Sequence, residues 1–119
     1  MQNGKDNLRP DAEMVGAIIL AAGESRRMGS PKPLLPLGRT TFLAHVLGVL
    51  EASRARPIVV VLGHEAKRVR QQVPCEGATV VFNPEYRKGM LSSIRAGLKE
   101  LAGETVTGAL LCPVDHPLV

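Results

Sequence analysis

Aromatic side chains are scarce in this sequence: Phe42, Phe82 and Tyr86 are its Phe and Tyr residues, and tryptophan is absent. Proteins that stack nucleic-acid bases use aromatic platforms, so nucleic acid ranks below smaller anions as a partner. The core must then be built from Val, Leu, Ile and Ala. Cysteine is scarce too. Cys75 and Cys112 form neither a C-x-x-C pair nor a secreted framework, which argues against a disulfide scaffold and for reduced thiols in a cytoplasmic protein. Neither the cysteines nor His45, His64 and His116 show metal-site spacing. No apolar stretch reaches the roughly eighteen residues of a membrane-spanning helix. The opening "MQNGKDNLRPDA" also lacks the hydrophobic segment of a secretory signal. No membrane partner is expected. Residues 1–13 read as a disordered tail, and Met14, opening "MVGAIILAAG", is a candidate start codon.

What is present bounds the fold. A chain of 119 residues suits one small domain, and 45% hydrophobic residues supply a packed core. Twelve glycines and nine prolines point to many turns rather than long helices. Fifteen Lys and Arg against eleven Asp and Glu leave a formal charge of +4, a balance that suits small phosphorylated ligands.

Four short runs, "VGAIILAA", "PIVVVLG", "ATVVFN" and "GALLCPVD", are apolar throughout rather than alternating. That pattern predicts strands buried on both faces of a parallel sheet. Helical spacing fills the gaps. In "TTFLAHVLGVLEA", Leu43, Val46, Leu47 and Leu50 share a face, with Thr40 or Thr41 placed to cap. In "MLSSIRAGLKELA" the inward set is Leu91, Ile94, Leu98 and Leu101; in the shorter "HEAKRVRQQV" it is Ala66, Val69 and Val73. The order β-α-β-α-β-α-β predicts an α/β fold, a Rossmann-like open, mainly parallel sheet with flanking helices. Ligands in such sheets sit beyond the carboxyl ends of the strands, which directs attention to the residues after Ala22, Gly63, Asn83 and Val114. A sheet of four strands whose last run ends beside Val119 is thin, with exposed edges, and reads as part of a larger domain.

"GESRRMGSPK" follows the first strand. Gly23 and Gly29 let backbone amides turn toward an anion, Arg26 and Arg27 offer planar forks for phosphate oxygens, and Lys32 is a mobile point charge. The spacing matches neither G-x-x-x-x-G-K-[ST] nor G-x-G-x-x-G, so a solvated basic loop is the alternative. Asp115 sits at the end of an apolar run, where a carboxylate needs a cation partner or a capping role. Ser92 and Ser93 occupy a first helical turn, placed either to cap or to meet an anion. Arg95 reaches phosphate or solvent and is not singled out. His64 and His116 read as polar loop residues, Lys67, Arg68 and Arg70 as a wet helix face, and Cys112 as core.

Together these motifs resemble the MobA-like nucleotidyltransferases. "LAAGESRRMGSPKPLLPLG" is similar to that family's L-A-[AG]-G, S-x-R-M-G and lysine-before-L-L-P signature. "NPEYRKGMLSSIRAGL" resembles N-P-x-W-x-x-G-M-x-x-S-[LI]-x-x-G-L, with Tyr86 where tryptophan is usual, and "PVDHPLV" resembles the D-x-P-x-[VI] element. "LAAG" and "PK" are closest to the molybdenum cofactor cytidylyltransferase branch; the guanylyltransferase branch carries "LAGG" and "DK". The resemblance implies a nucleotide-diphospho-sugar transferase-like fold and Mg²⁺-dependent transfer of CMP from CTP, favoured over GTP, with release of pyrophosphate. The acceptor is a phosphorylated small molecule such as molybdopterin, and a molybdoenzyme or chaperone is an implied protein partner. Residues 14–119 would be the nucleotide-binding part of the domain, lacking its C-terminal acceptor-binding part. Leu20, Ala21 and Ala22 would lie along base and ribose, Gly23 would let the nucleotide approach closely, and Ser25, Arg26, Arg27 and Lys32 would face the triphosphate, with Arg26 and Lys32 catalytic. Asn83, Gly89, Met90 and Ser93 would hold base and ribose, and Asp115 would bind Mg²⁺. The rival readings are a sugar- or polyol-phosphate acceptor, a non-catalytic nucleotide-binding module, and basic nucleic-acid binding.

Overall fold

The computed structural model describes residues 14–23, 32–103 and 105–114. Strand β1 (Val15–Ala21) leads to a 3-10 turn (Lys32–Leu34) and a short antiparallel ribbon of β2 (Pro36–Leu37) and β3 (Thr40–Thr41). Helix α1 (Phe42–Ala52), β4 (Ile58–Leu62), α2 (Ala66–Gln72) and β5 (Thr79–Phe82) follow. A second 3-10 turn (Tyr86–Lys88), α3 (Met90–Leu101) and β6 (Gly108–Pro113) complete the described elements. The main sheet has four parallel strands in the order β5-β4-β1-β6. This is the expected α/β architecture, a parallel sheet with flanking helices.

Register sorts the core into two layers, because successive strand residues face opposite sides. Ala17 pairs with Ile58 and Ile19 with Val60, and these side chains with Ala21 and Leu62 meet Leu43, Leu47, Leu50, Val69 and Val73 from α1, α2 and the end of α2. The alternate set, Ile18, Leu20, Ala22, Val59 and Val61, faces α3. The Thr41 hydroxyl caps α1, accepting the Ala44 N–H at 3.2 Å. Cys75 and Cys112 pack against the first layer, and burial raises both thiols above their ordinary 9.0. The cysteines are free.

Two expectations need correction. Among the described residues, only β1 and β4 are buried along their length; β5 and β6 are the outer strands, leaving Phe82, Leu110 and Leu111 about half exposed. An apolar run thus marks a strand of this sheet without fixing its place in it. The second correction concerns α3. Leu91 is 59% exposed and Leu98 48%, while Ser93, Gly97 and Leu101 are buried and Ile94 is packed. Ile94 and Leu101 of the expected set thus pack inward, while Leu91 and Leu98 give way to Ser93 and Gly97; a β-carbon on Gly97 would lie 2.5 Å from Ile18 Cγ2. Close approach selects these small residues over the two leucines.

Candidate functional site

The carboxyl ends of the strands and the entry to α3 enclose a cavity of about 300 Å³, lined by Leu20, Ala22, Gly23, Tyr86, Arg87, Gly89, Met90 and Ser93. Its floor is the end of β1. There the Ala22 carbonyl accepts the His64 N–H at 3.0 Å, and the Leu20 carbonyl accepts the Val114 N–H at 3.2 Å. These bonds tie the exits of β4 and β6 to β1, as expected where parallel strands deliver ligand residues at one edge.

The opposite wall is built from "NPEYRKGM". The Asn83 N–H donates to the Leu62 carbonyl at 2.7 Å, docking the exit of β5 on β4. Its side chain, buried to 3% exposure, accepts the Glu85 N–H at 2.9 Å through Oδ1 and donates through Nδ2 to the Ser92 and Ser93 hydroxyls at 2.9 and 3.0 Å. An Asx-type contact thus turns the chain while the amide holds the first turn of α3. The Ser92 hydroxyl donates toward the Gly89 and Glu85 carbonyls at 2.7 and 2.9 Å. Gly89, at φ +104°, occupies the N-cap position, and no side chain caps the helix. This backbone angle favours glycine. Neither serine is therefore the cap; both hydroxyls lock α3 to Asn83.

Leu20, Ala22, Gly23, Gly89, Met90 and Ser93, all singled out from the sequence, converge on this one cavity. Ala21 faces the α1 and α2 layer instead, and Asn83 stands behind the wall. Lys32 opens the 3-10 turn over Lys32–Leu34, where its carbonyl accepts the Leu35 N–H at 3.1 Å, and it does not line the cavity. Ser25, Arg26, Arg27 and Asp115 lie outside the described residues, as does the expected 1–13 tail. Tyr86 and Arg87 were not marked out as site residues, although the sequence signal was available: Tyr86 replaces the tryptophan of the motif, and Arg87 follows it.

No group of three His, Cys, Asp or Glu among the described residues could hold a metal ion. Asp115 follows directly on Val114, whose amide is bonded to Leu20 at the cavity floor. The Asp115 side chain lies outside the described residues; a carboxylate oxygen is in general the donor type that Mg²⁺ takes beside phosphate oxygens and water. Among the described residues, no helix is long and apolar enough to cross a membrane.

Comparison with known proteins agrees with this fold. The family profile described as MobA-like NTP transferase domain matches residues 17–119. A Mycobacterium tuberculosis H37Rv protein named "Probable molybdenum cofactor guanylyltransferase" is 35% identical over 112 residues, 92% of this chain and 53% of its own length. The chain thus spans about half the length of the curated relatives it matches. The fold is similar to the crystal structure of Rv0371c from Mycobacterium tuberculosis H37Rv, at TM-score 0.76 and 33% identity, covering 91% of this chain and 55% of that one. A complex of Rv0371c with manganese gives 0.72 and 29%, covering 89% and 53%. A nucleotidyl transferase from Methanothermobacter gives 0.73 and 30%, covering 89% and 52%.

Proposed function

The chain belongs to the MobA-like NTP transferase family, and from that premise we propose that residues 14–119 are the nucleotide-binding part of a nucleotidyltransferase. The reaction moves a nucleoside monophosphate from a triphosphate to a phosphorylated acceptor of molybdopterin type. The observation that carries this reading is the cavity itself, where the end of β1 and the glycine-started helix α3 face each other. A helix N-terminus and strand-end amides suit an anionic nucleotide.

An oxygen of the acceptor phosphate attacks the α-phosphorus, the bond to the β-phosphate oxygen breaks, and pyrophosphate leaves. Negative charge grows on the equatorial and leaving oxygens, so positioning and cationic contacts supply most of the acceleration. In this reading the backbone of Leu20, Ala21, Ala22 and Gly23 runs along base and ribose, opposite Gly89, Met90 and Ser93. Asn83 acts from behind by orienting the Ser93 hydroxyl. Ser25 and Arg27 hold the triphosphate, while Arg26 and Lys32 neutralise the developing charge. Asp115 would hold Mg²⁺, which supplies further charge neutralisation at the phosphates.

The donor base has two readings. The name guanylyltransferase carried by relatives points to GTP. Ala22 in "LAAG" and Pro31 before Lys32 point to CTP. Pyrophosphate release measured with each triphosphate, the acceptor present, separates them. Turnover of GTP or CTP at least about tenfold above the other triphosphates is expected, a margin of about 1.4 kcal/mol. Lys32→Ala and Asp115→Ala should each abolish it in the complete protein. Wild-type rates in either variant would remove that residue from the mechanism, and nucleotide binding without turnover would favour the non-catalytic module.

A further inference from the structure

The wall of the cavity contains a three-residue support with no assigned role. Gly63, buried at the end of β4, has no room for a side chain: a β-carbon there would lie 2.5 Å from Tyr86 Cβ, 2.8 Å from its Cγ and 2.9 Å from Ala22 Cβ. Tyr86 is therefore seated directly on backbone. The His64 ring closes another side of it, with centroids 5.9 Å apart and planes at 55°. Against this fixed ring lies Arg87, its Cζ 5.5 Å from the ring centroid, a distance at which cation and π-face attract. Both side chains line the cavity, and Arg87 is the cationic one among its described lining residues.

We propose that Arg87 binds a phosphate group of a substrate at this cavity, and that Tyr86, seated on Gly63, is its positioning residue. A guanidinium fork matches two phosphate oxygens at once. Stacking it on an immobilised ring removes part of the rotamer freedom that binding would otherwise cost. The assignment rests on the nucleotidyl-transfer reading for its substrates. The phosphate belongs either to the nucleotide or to the acceptor, and kinetics tell them apart.

The test is steady-state kinetics on the complete protein, varying nucleotide and acceptor separately. Arg87→Ala should raise the KM of one or both about 10- to 100-fold, the worth of a charge-assisted bond, with kcat held within about threefold. The substrate whose KM moves is the source of the phosphate. Arg87→Lys should fall between, since it keeps charge without the planar fork. Tyr86→Ala should raise the same KM about 3- to 30-fold, and Tyr86→Phe, which keeps the ring, should recover most of that loss. Unchanged KM for both substrates in Arg87→Ala overturns the proposal, as does a fall in kcat at constant KM. Equal losses in Tyr86→Ala and Tyr86→Phe overturn the positioning role. If the wild-type protein turns over no nucleotide, the functional reading fails by itself. Calorimetric titration with inorganic triphosphate and with inorganic phosphate then decides Arg87: weaker binding of either in Arg87→Ala supports it, and equal binding of both overturns it.

Discussion

The two faces of the sheet are packed by opposite means. Under α1 and α2, branched side chains meet branched side chains: Leu43, Leu47, Leu50, Val69 and Val73 fill the space against Ile19, Ile58, Val60 and Leu62. Under α3 the start and middle of the helix make contact through Ser93 and Gly97, with Ala96 and Ile94 beside them, and Leu101 is the one large fully buried side chain, at its far end. Large residues hold a helix off the sheet and bury area; small ones bring its backbone near. The first face is built for stability, since burial scales with apolar area. The second spends contact area to set the start of α3 against the end of β1, and there the cavity opens.

Substitutions on each face can break or sharpen that contrast. Leu43, fully buried under α1, should show the largest effect: Leu43→Ala is expected to lower unfolding free energy by about 2–5 kcal/mol in denaturant titration. Nucleotide affinity of the folded fraction should stay within about twofold, as for distant independent sites. Gly97→Val drives a side chain into Ile18; a smaller loss of about 1–3 kcal/mol is expected, but here nucleotide affinity should fall with it because α3 is displaced. Asn83→Ala, which removes the amide's bonds to the Ser92 and Ser93 hydroxyls and takes the acceptor from the Glu85 amide, should cost about 1–2 kcal/mol and weaken nucleotide binding by a similar factor. If Leu43→Ala costs affinity while Gly97→Val does not, the division of labour between the faces is wrong.

The sequence made the element order legible because four continuous apolar runs of strand length alternate with three segments of helical spacing. The candidate site was legible where backbone chemistry shows through: Gly89 marks a left-handed turn, and Leu20 to Gly23 end a buried strand. Four features were not. On α3, Ile94 and Leu101 do pack inward, but Leu91 and Leu98 do not: they outweigh Ser93 and Gly97 in any hydrophobic count, whereas close approach to Ile18 is a tertiary fact. The burial of β5 and β6 depends on sheet order, which apolar runs do not encode. The service of Ser92 and Ser93 to Asn83, rather than to the helix end, joins residues nine and ten apart through a turn. Tyr86 and Arg87 matter through their contact with each other and with Gly63, a pairing that sequence adjacency does not reveal.

Hydrogen–deuterium exchange on the complete protein, with and without GTP or CTP in the presence of Mg²⁺, tests most directly whether the α3 face carries the nucleotide. The expected result is slowed exchange in residues 20–23 and 89–93, with α1 unchanged. Slowed exchange confined to α1 and α2, or none in residues 89–93 at saturating nucleotide, would contradict it.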